Sequence, residues 1–138
     1  MVCIYCSAKT RISNSRRQLR SNNVWRRRNC TRCGAIFSTS EQVDYEKSIV
    51  VQSTDGRLSP FLRDKLFASI YRSCQHRPSC LTDTVGLTAT VTARVWRLSQ
   101  HGKLESIVLA RTTLEVLTRF DRAAAVSYAA FHSDTASS

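Results

Sequence analysis

Four of the six cysteines form two identical clips, Cys3/Cys6 and Cys30/Cys33, each C-x2-C, with 23 residues between them and Gly34 directly after the last. Two residues between thiolates let one tight turn aim both sulfurs at a single ion, and two such turns complete the tetrahedron of a structural zinc site. The span is somewhat longer than the usual ~15 to 20 residues, which leaves room for an extra hairpin. A redox pair is the competing reading, but a redox C-x2-C comes singly and beside a βαβ pattern. One Zn2+ per chain is therefore expected, held by Cys3, Cys6, Cys30 and Cys33. A four-thiolate site has no open position, so the metal is structural and not catalytic. It is also needed, because a segment of about 45 residues buries too little apolar surface to hold a fold alone.

Between the clips, Ile12 and Val24-Trp25 mark short β-prone stretches around a Ser21-Asn22-Asn23 turn, and Ile36-Phe37 opens another strand. This outlines a zinc ribbon over residues 1–46. The same segment carries nine Lys or Arg against three acidic residues, and arginine outnumbers lysine eight to one. The guanidinium fork suits phosphate oxygens and guanine edges better than an ammonium does. The whole chain, at 138 residues and a formal charge of +11, favours polyanionic partners, with nucleic acid first among them. If Val24 to Cys30 is extended, Arg26 and Arg28 share one face while Arg27 lies opposite with Trp25. Arg26 and Arg28 are then the expected DNA-side pair, unless a bulge re-aims Arg27; Arg16 and Arg32 complete the expected DNA-binding set.

Residues 47–138 read as a second domain. Ile49-Val50-Val51 and the Asp55-Gly56 turn predict a small hairpin. From Pro60, placed at a first turn, Leu62, Leu66, Ile70 and Cys74 recur at helical spacing. Leu87, Val91, Val95 and Leu98 predict a second helix closed by His101-Gly102, with Gly86 and the threonines lowering its propensity. Ile107, Ala110, Leu114 and Leu117 predict a third helix, and the alanine-rich run from Asp121 a fourth. The tail Ser133 to Ser138 is expected to be disordered. Cys74 and Cys80 read as ordinary small residues, the acidic residues as solvated or ion-paired, and no catalytic constellation stands out, so no enzyme is expected. No leader or spanning segment is visible, which points to the cytoplasm and to no membrane partner. The fold class expected is α+β: a four-cysteine ribbon followed by a mostly helical domain with a small β-hairpin.

The residues that join these readings are Cys3 and Cys6, Ser15-Arg16, Val24-Trp25-Arg26-Arg27-Arg28-Asn29-Cys30-Thr31-Arg32-Cys33-Gly34 and Phe37-Ser38-Thr39-Ser40-Glu41. Gly56-Arg57, Pro60-Phe61, Arg63, Lys65-Leu66 and Arg77-Pro78 follow in order. Over nearly the whole chain this resembles the NrdR family, bacterial repressors of ribonucleotide reductase genes built from a zinc ribbon and an ATP-cone. The resemblance implies a homo-oligomeric, nucleoid-associated repressor whose ribbon binds double-stranded DNA at paired boxes upstream of reductase genes. It also implies that ATP and dATP bind the cone as regulatory ligands and set the oligomeric state. Two departures bear on that site. Gln52-Ser53 stands where the family carries a basic pair, and in the last helix Ala125 and His132 stand where it carries tyrosines and Ser127 and Ser133 where it carries arginines. Val51, Arg57 and Lys65 remain as nucleotide-binding candidates, and Lys at position 52 is expected to restore affinity. The alternatives are an allosteric cone subunit of a nucleotide-metabolising enzyme and a zinc-ribbon component of a ribosome or RNA polymerase.

Overall fold

The computed structural model describes residues 1–132, so the expected disordered tail at Ser133 to Ser138 lies outside the described residues. The chain divides into two units, Met1–Val43 and a second that begins at Asp44, three residues before the boundary read from the sequence. Asp44 belongs to the second unit because it caps a short helix, α1 (Tyr45–Ser48), accepting from the Lys47 amide at 3.3 Å.

The first unit is an antiparallel meander of β1 (Thr10–Gln18), β2 (Asn23–Cys30) and β3 (Ile36–Gln42), in spatial order β1-β2-β3. Asn22 turns the first hairpin with a φ of 50°, a left-handed conformation that asparagine tolerates. Only Cys3 and Cys30 are buried in this unit. Its strands have no apolar layer to pack on, so whatever closes the cysteine cluster does the work of a core.

The second unit builds a small sheet and packs helices on it. β4 (Val50–Gln52) and β5 (Leu58–Pro60) form the expected hairpin, turned at Gly56 with φ 83°. α2 (Arg63–Ser73) and α3 (Cys80–Leu98) follow, then β6 (Lys103–Glu105), α4 (Ser106–Phe120) and α5 (Arg122–Phe131). β6 had no counterpart in the sequence reading. It lies parallel to β4, Leu104 opposite Val51, and turns the hairpin into a three-stranded sheet of order β5-β4-β6. His101-Gly102, read as a helix stop, is the entry to that strand. Gly102 has φ 77° and passes its carbonyl to the Val50 amide at 2.8 Å, and a Cβ there would meet the Ser48 carbonyl oxygen at 3.0 Å.

Pro60 is likewise not in a helix. It ends β5, and because Phe61 donates to the Ile49 carbonyl at 2.9 Å the chain stays extended until Arg63. The core gathers Phe61, Leu66, Ile70, Leu87, Val91, Val95, Leu104, Leu117 and Tyr128; each fully buried side chain of this kind contributes about 1.5–3 kcal/mol. Leu62 and Leu98, expected on the apolar stripes, are exposed, and threonines of α3 and α4 share the buried layer. Thr84, Thr88, Thr92, Thr112 and Thr113 are all buried. Four of the five satisfy their hydroxyls on the carbonyl four residues back, at 2.7 to 2.8 Å. On α4 the buried side is Thr112, Thr113, Val116 and Leu117, with Ile107, Ala110 and Leu114 half-buried.

Arg77 closes the helical layer. It donates to Asp83 at 2.9 Å and to Asp121 at 2.7 Å and lies over the Phe120 ring, tying the α2–α3 turn to the α4–α5 junction. No helix among the described residues is long and apolar enough to cross a membrane.

Candidate metal centre, ribbon faces and ligand cavity

The first clip bends back on itself, the Cys3 amide donating to the Ala8 carbonyl at 2.8 Å and Ser7 taking a φ of 58°. The second does the same through the Cys30 amide and the Ala35 carbonyl at 2.9 Å, with Gly34 at φ 71°. These turns bring the four sulfurs within 4.8 Å of one another, Cys3 to Cys33 at 3.7 Å and Cys6 to Cys30 at 3.5 Å. Such separations exclude disulfides and lie close to the about 3.8 Å edge of a tetrahedron with 2.3 Å zinc–sulfur bonds. The Cys33 and Arg32 amides, each 3.4 Å from Cys30 Sγ, bring that thiol down to about 6. At Cys6 an Ala8 amide pulls the other way, but the neighbouring Cys30 and Cys33 thiols push it up to about 12. The donor set fits zinc. Cys74 and Cys80 are free and buried in the other unit, and burial pushes Cys74 up to about 11.

The ribbon has two unlike faces. One carries Val24, Arg26 and Arg28 from β2, with Phe37, Thr39 and Glu41 opposite them on β3. Here Arg26 pairs with Glu41, the single carboxylate side chain of the first unit. Arg28 donates to Thr39 Oγ1 at 3.2 Å and to Thr10 Oγ1 at 3.3 Å. Arg17 stands at the end of this face, opposite Val24. The other face carries Trp25, Arg27 and Asn29, flanked by Arg16, Asn14 and Arg11 on β1 and by Ser40, Ser38 and Ile36 on β3. Arg11, Arg16 and Arg27 are exposed, and no partner holds their side chains among the described residues. Arg26 and Arg28, the expected DNA-side pair, are tied to their own sheet, and Arg27 is the one left open. A bulge does occur, but in β1 at Ser13, not in β2. Arg32 is exposed on the second clip.

In the second unit a cavity of about 250 Å3 opens between the sheet and three helices. Val51, Phe61, Leu66 and Leu109 give it apolar walls, Lys65 and Ser106 stand at its rim, and Ser69, Tyr128 and His132 form its polar end. Ser69 Oγ lies 2.9 Å from His132 Nε2, and the His132 ring lies tilted against Tyr128 with centroids 4.3 Å apart. Burial raises Tyr128 against the hydrogen bonds it makes with Thr113 and Ser69. Leu62 and Ser106, at the starts of α2 and α4, line the same cavity, and neither helix has a side-chain cap.

The family model for the transcriptional repressor NrdR-like N-terminal domain matches residues 1–41, the span of the ribbon. A transcriptional repressor NrdR from Symbiobacterium thermophilum is 33% identical over 132 residues, covering 96% of this chain and 87% of the relative. Those from Streptococcus suis and Staphylococcus carnosus are 33% and 31% identical, with 80% and 85% of their lengths covered. The chain belongs to the NrdR family of transcriptional repressors. Its relatives carry a repressor's name and not an enzyme's.

For this NrdR-family chain the three nucleotide candidates part company. Val51 and Lys65 line the cavity, whereas Arg57 is exposed in the hairpin turn and paired with Asp55 at 3.2 Å. Gln52, one residue beyond Val51, alternates away and borders a different cavity with Leu98 and Gln100. Ala125 is buried, but Tyr128, one helical turn on, brings an aromatic ring to the cavity. Sequence reasoning missed Ser69, Tyr128 and Ser106. The signal for Tyr128 was its i+3 spacing from Ala125, which puts both on one side of α5.

Proposed function

We propose that this chain represses ribonucleotide reductase genes by binding paired upstream boxes of double-stranded DNA through its zinc ribbon, with adenine nucleotides in the second unit setting its oligomeric state. The observation that carries this reading is the pairing of a four-thiol cluster with an arginine-rich sheet inside the segment that matches the NrdR ribbon. Cys3, Cys6, Cys30 and Cys33 would hold one zinc ion, which supplies the fold and no chemistry. Arg16, Arg27 and Arg32 would face DNA phosphates and bases, while Arg26 and Arg28 brace the sheet that presents them.

The second unit would act as an ATP-cone. The apolar walls around Val51 and Phe61 suit a purine ring. Lys65 and the uncapped starts of α2 and α4 suit its phosphates, since helix N-termini favour negative charge. ATP and dATP would then act by population shift, each favouring homo-oligomers that do or do not present two ribbons at the spacing of the two boxes. Such a repressor works in the cytoplasm, on the nucleoid.

Footprinting of zinc-loaded protein on upstream regions of reductase genes, with and without ATP or dATP, tests this. The expected result is protection of two boxes that changes with the nucleotide and disappears in Cys30→Ser. Protection nowhere, or protection blind to both nucleotides, would overturn the proposal.

A further inference from the structure

Resting on the reading of the ribbon as a DNA-binding unit, we infer that the DNA contact is made by one face of the sheet only, the one bearing Arg11, Arg16 and Arg27. The bulge at Ser13 is the device that assembles it. Side chains alternate along a strand, so an unbroken β1 would point Arg11 and Arg16 to opposite sides. The register instead runs Arg11 opposite Asn29, Asn14 opposite Arg27 and Arg16 opposite Trp25, with a shift between Ile12 and Asn14. One extra residue flips the alternation and brings both arginines to the side of Arg27. The Ser13 hydroxyl pins the bulge by donating to the Arg27 carbonyl at 3.2 Å.

The resulting array has a usable metric. Asn29 and Trp25 are four residues apart on β2, so the arginines opposite them are about 13 Å apart at ~3.3 Å per residue. That is close to the about 12 Å width of the major groove, which admits a narrow β-ribbon. Arg11 and Arg16 are therefore placed for the phosphates on either side of a groove. Arg27, opposite the midpoint, is placed for the base edges between them, with Asn14 and Asn29 beside it as further hydrogen-bonding groups. The first unit's single carboxylate, Glu41, is on the other face and engaged with Arg26, so the open face carries positive charge alone.

Arg16 and Arg17 give the test its control, being adjacent, both exposed and equal in charge but on opposite faces. The probe is a duplex selected by the unsubstituted, zinc-loaded protein from a randomised library. Affinity is measured across a salt series, with zinc content checked for each variant. Arg11→Ala and Arg16→Ala are each expected to lower the log–log salt slope by about 0.9, and Arg17→Ala to leave it unchanged. Arg27→Ala is expected to relax base preference at one position by about 5- to 150-fold. Deleting Ser13 should weaken binding with zinc retained. Equal losses from Arg16→Ala and Arg17→Ala would reduce the face to diffuse charge, and a larger loss from Arg17→Ala would place DNA on the opposite side; either overturns the inference. Failure of the unsubstituted protein to select any duplex would instead remove the DNA reading on which it rests.

Discussion

Replacing Cys30 by Ser should unfold the first unit and spare the second. Cys30 is one of only two buried residues in the ribbon, both of them cluster thiols, and it alone receives two clip amides, from Arg32 and Cys33. Structural zinc contributes about 10–16 kcal/mol in small four-ligand sites. Shared over four thiolates this is about 2.5–4 kcal/mol per ligand, or roughly 60- to 700-fold in zinc affinity at 1.4 kcal/mol per decade. Nothing in β1 to β3 replaces that sum, since the sheet has no apolar layer of its own. The assay is competition against a chromogenic chelator, followed by amide NMR of the apo and holo forms. In Cys30→Ser, or after chelation, the resonances of Thr10–Gln18, Asn23–Cys30 and Ile36–Gln42 should collapse to random-coil shifts while those of α2 to α5 stay dispersed. A first unit that keeps dispersed amides without metal would refute the claim that the cluster is its core.

Lys65→Ala should weaken ATP and dATP binding by tenfold or more in calorimetry on nucleotide-free protein, whereas Arg57→Ala and Gln52→Lys should leave it unchanged, because neither side chain lines the cavity. Gly102→Ala should cost about 1–3 kcal/mol by thermal melting, since it forces a positive φ on alanine and presses Cβ against the Ser48 oxygen; Gly56→Ala, with open space around it, should cost less. The Ala124 amide and Arg77 hold Asp121 far below the usual carboxylate range, and Ser79 and Arg77 lower Asp83. Folded values below the unfolded ~3.9 mean that this stabilisation is complete above about pH 4 and lost as pH falls through the folded values. Helical melts between pH 2 and 6 should show that loss, and Arg77→Met should flatten it.

Much of this architecture is legible in the sequence for identifiable reasons. The clips are local, so C-x2-C spacing alone places the cluster. The α2 stripe of Leu66, Ile70 and Cys74 is local too, and all three are buried. What escaped was non-local or carried by polar side chains. β6 is three residues long and takes its identity from β4, some fifty residues earlier. Pro60 signals a helix start as readily as an edge strand, and only the ladder from Ile49 to Phe61 decides between them. The threonines of α3 count against burial by composition, yet Thr84 and Thr92 turn their hydroxyls back on the helix and present little more than a methyl to the core. In the cavity, comparing motif positions one by one marked Ala125 as a lost aromatic, while Tyr128 reaches the site from the next turn.

The arginine run shows why spacing alone could not assign it. With a period of two, a strand that carries Arg26, Arg27 and Arg28 must divide them between faces, and each face makes a different demand. One side offers Glu41, Thr39 and Thr10, so its two arginines become cross-strand ties in a sheet that lacks apolar packing. The other offers no acid, and Ser38 opposite Arg27 makes no hydrogen bond with its guanidinium, so Arg27 stays open. The two roles differ in their response to ionic strength. Arg28 is held by neutral hydroxyls, whose hydrogen bonds salt screens little, whereas exposed arginines facing phosphates release counterions as they bind. Salt should therefore screen the Arg26–Glu41 pair along with the DNA contact but leave the Arg28 ties in place, so the ribbon leaves DNA while Arg28 still braces the sheet.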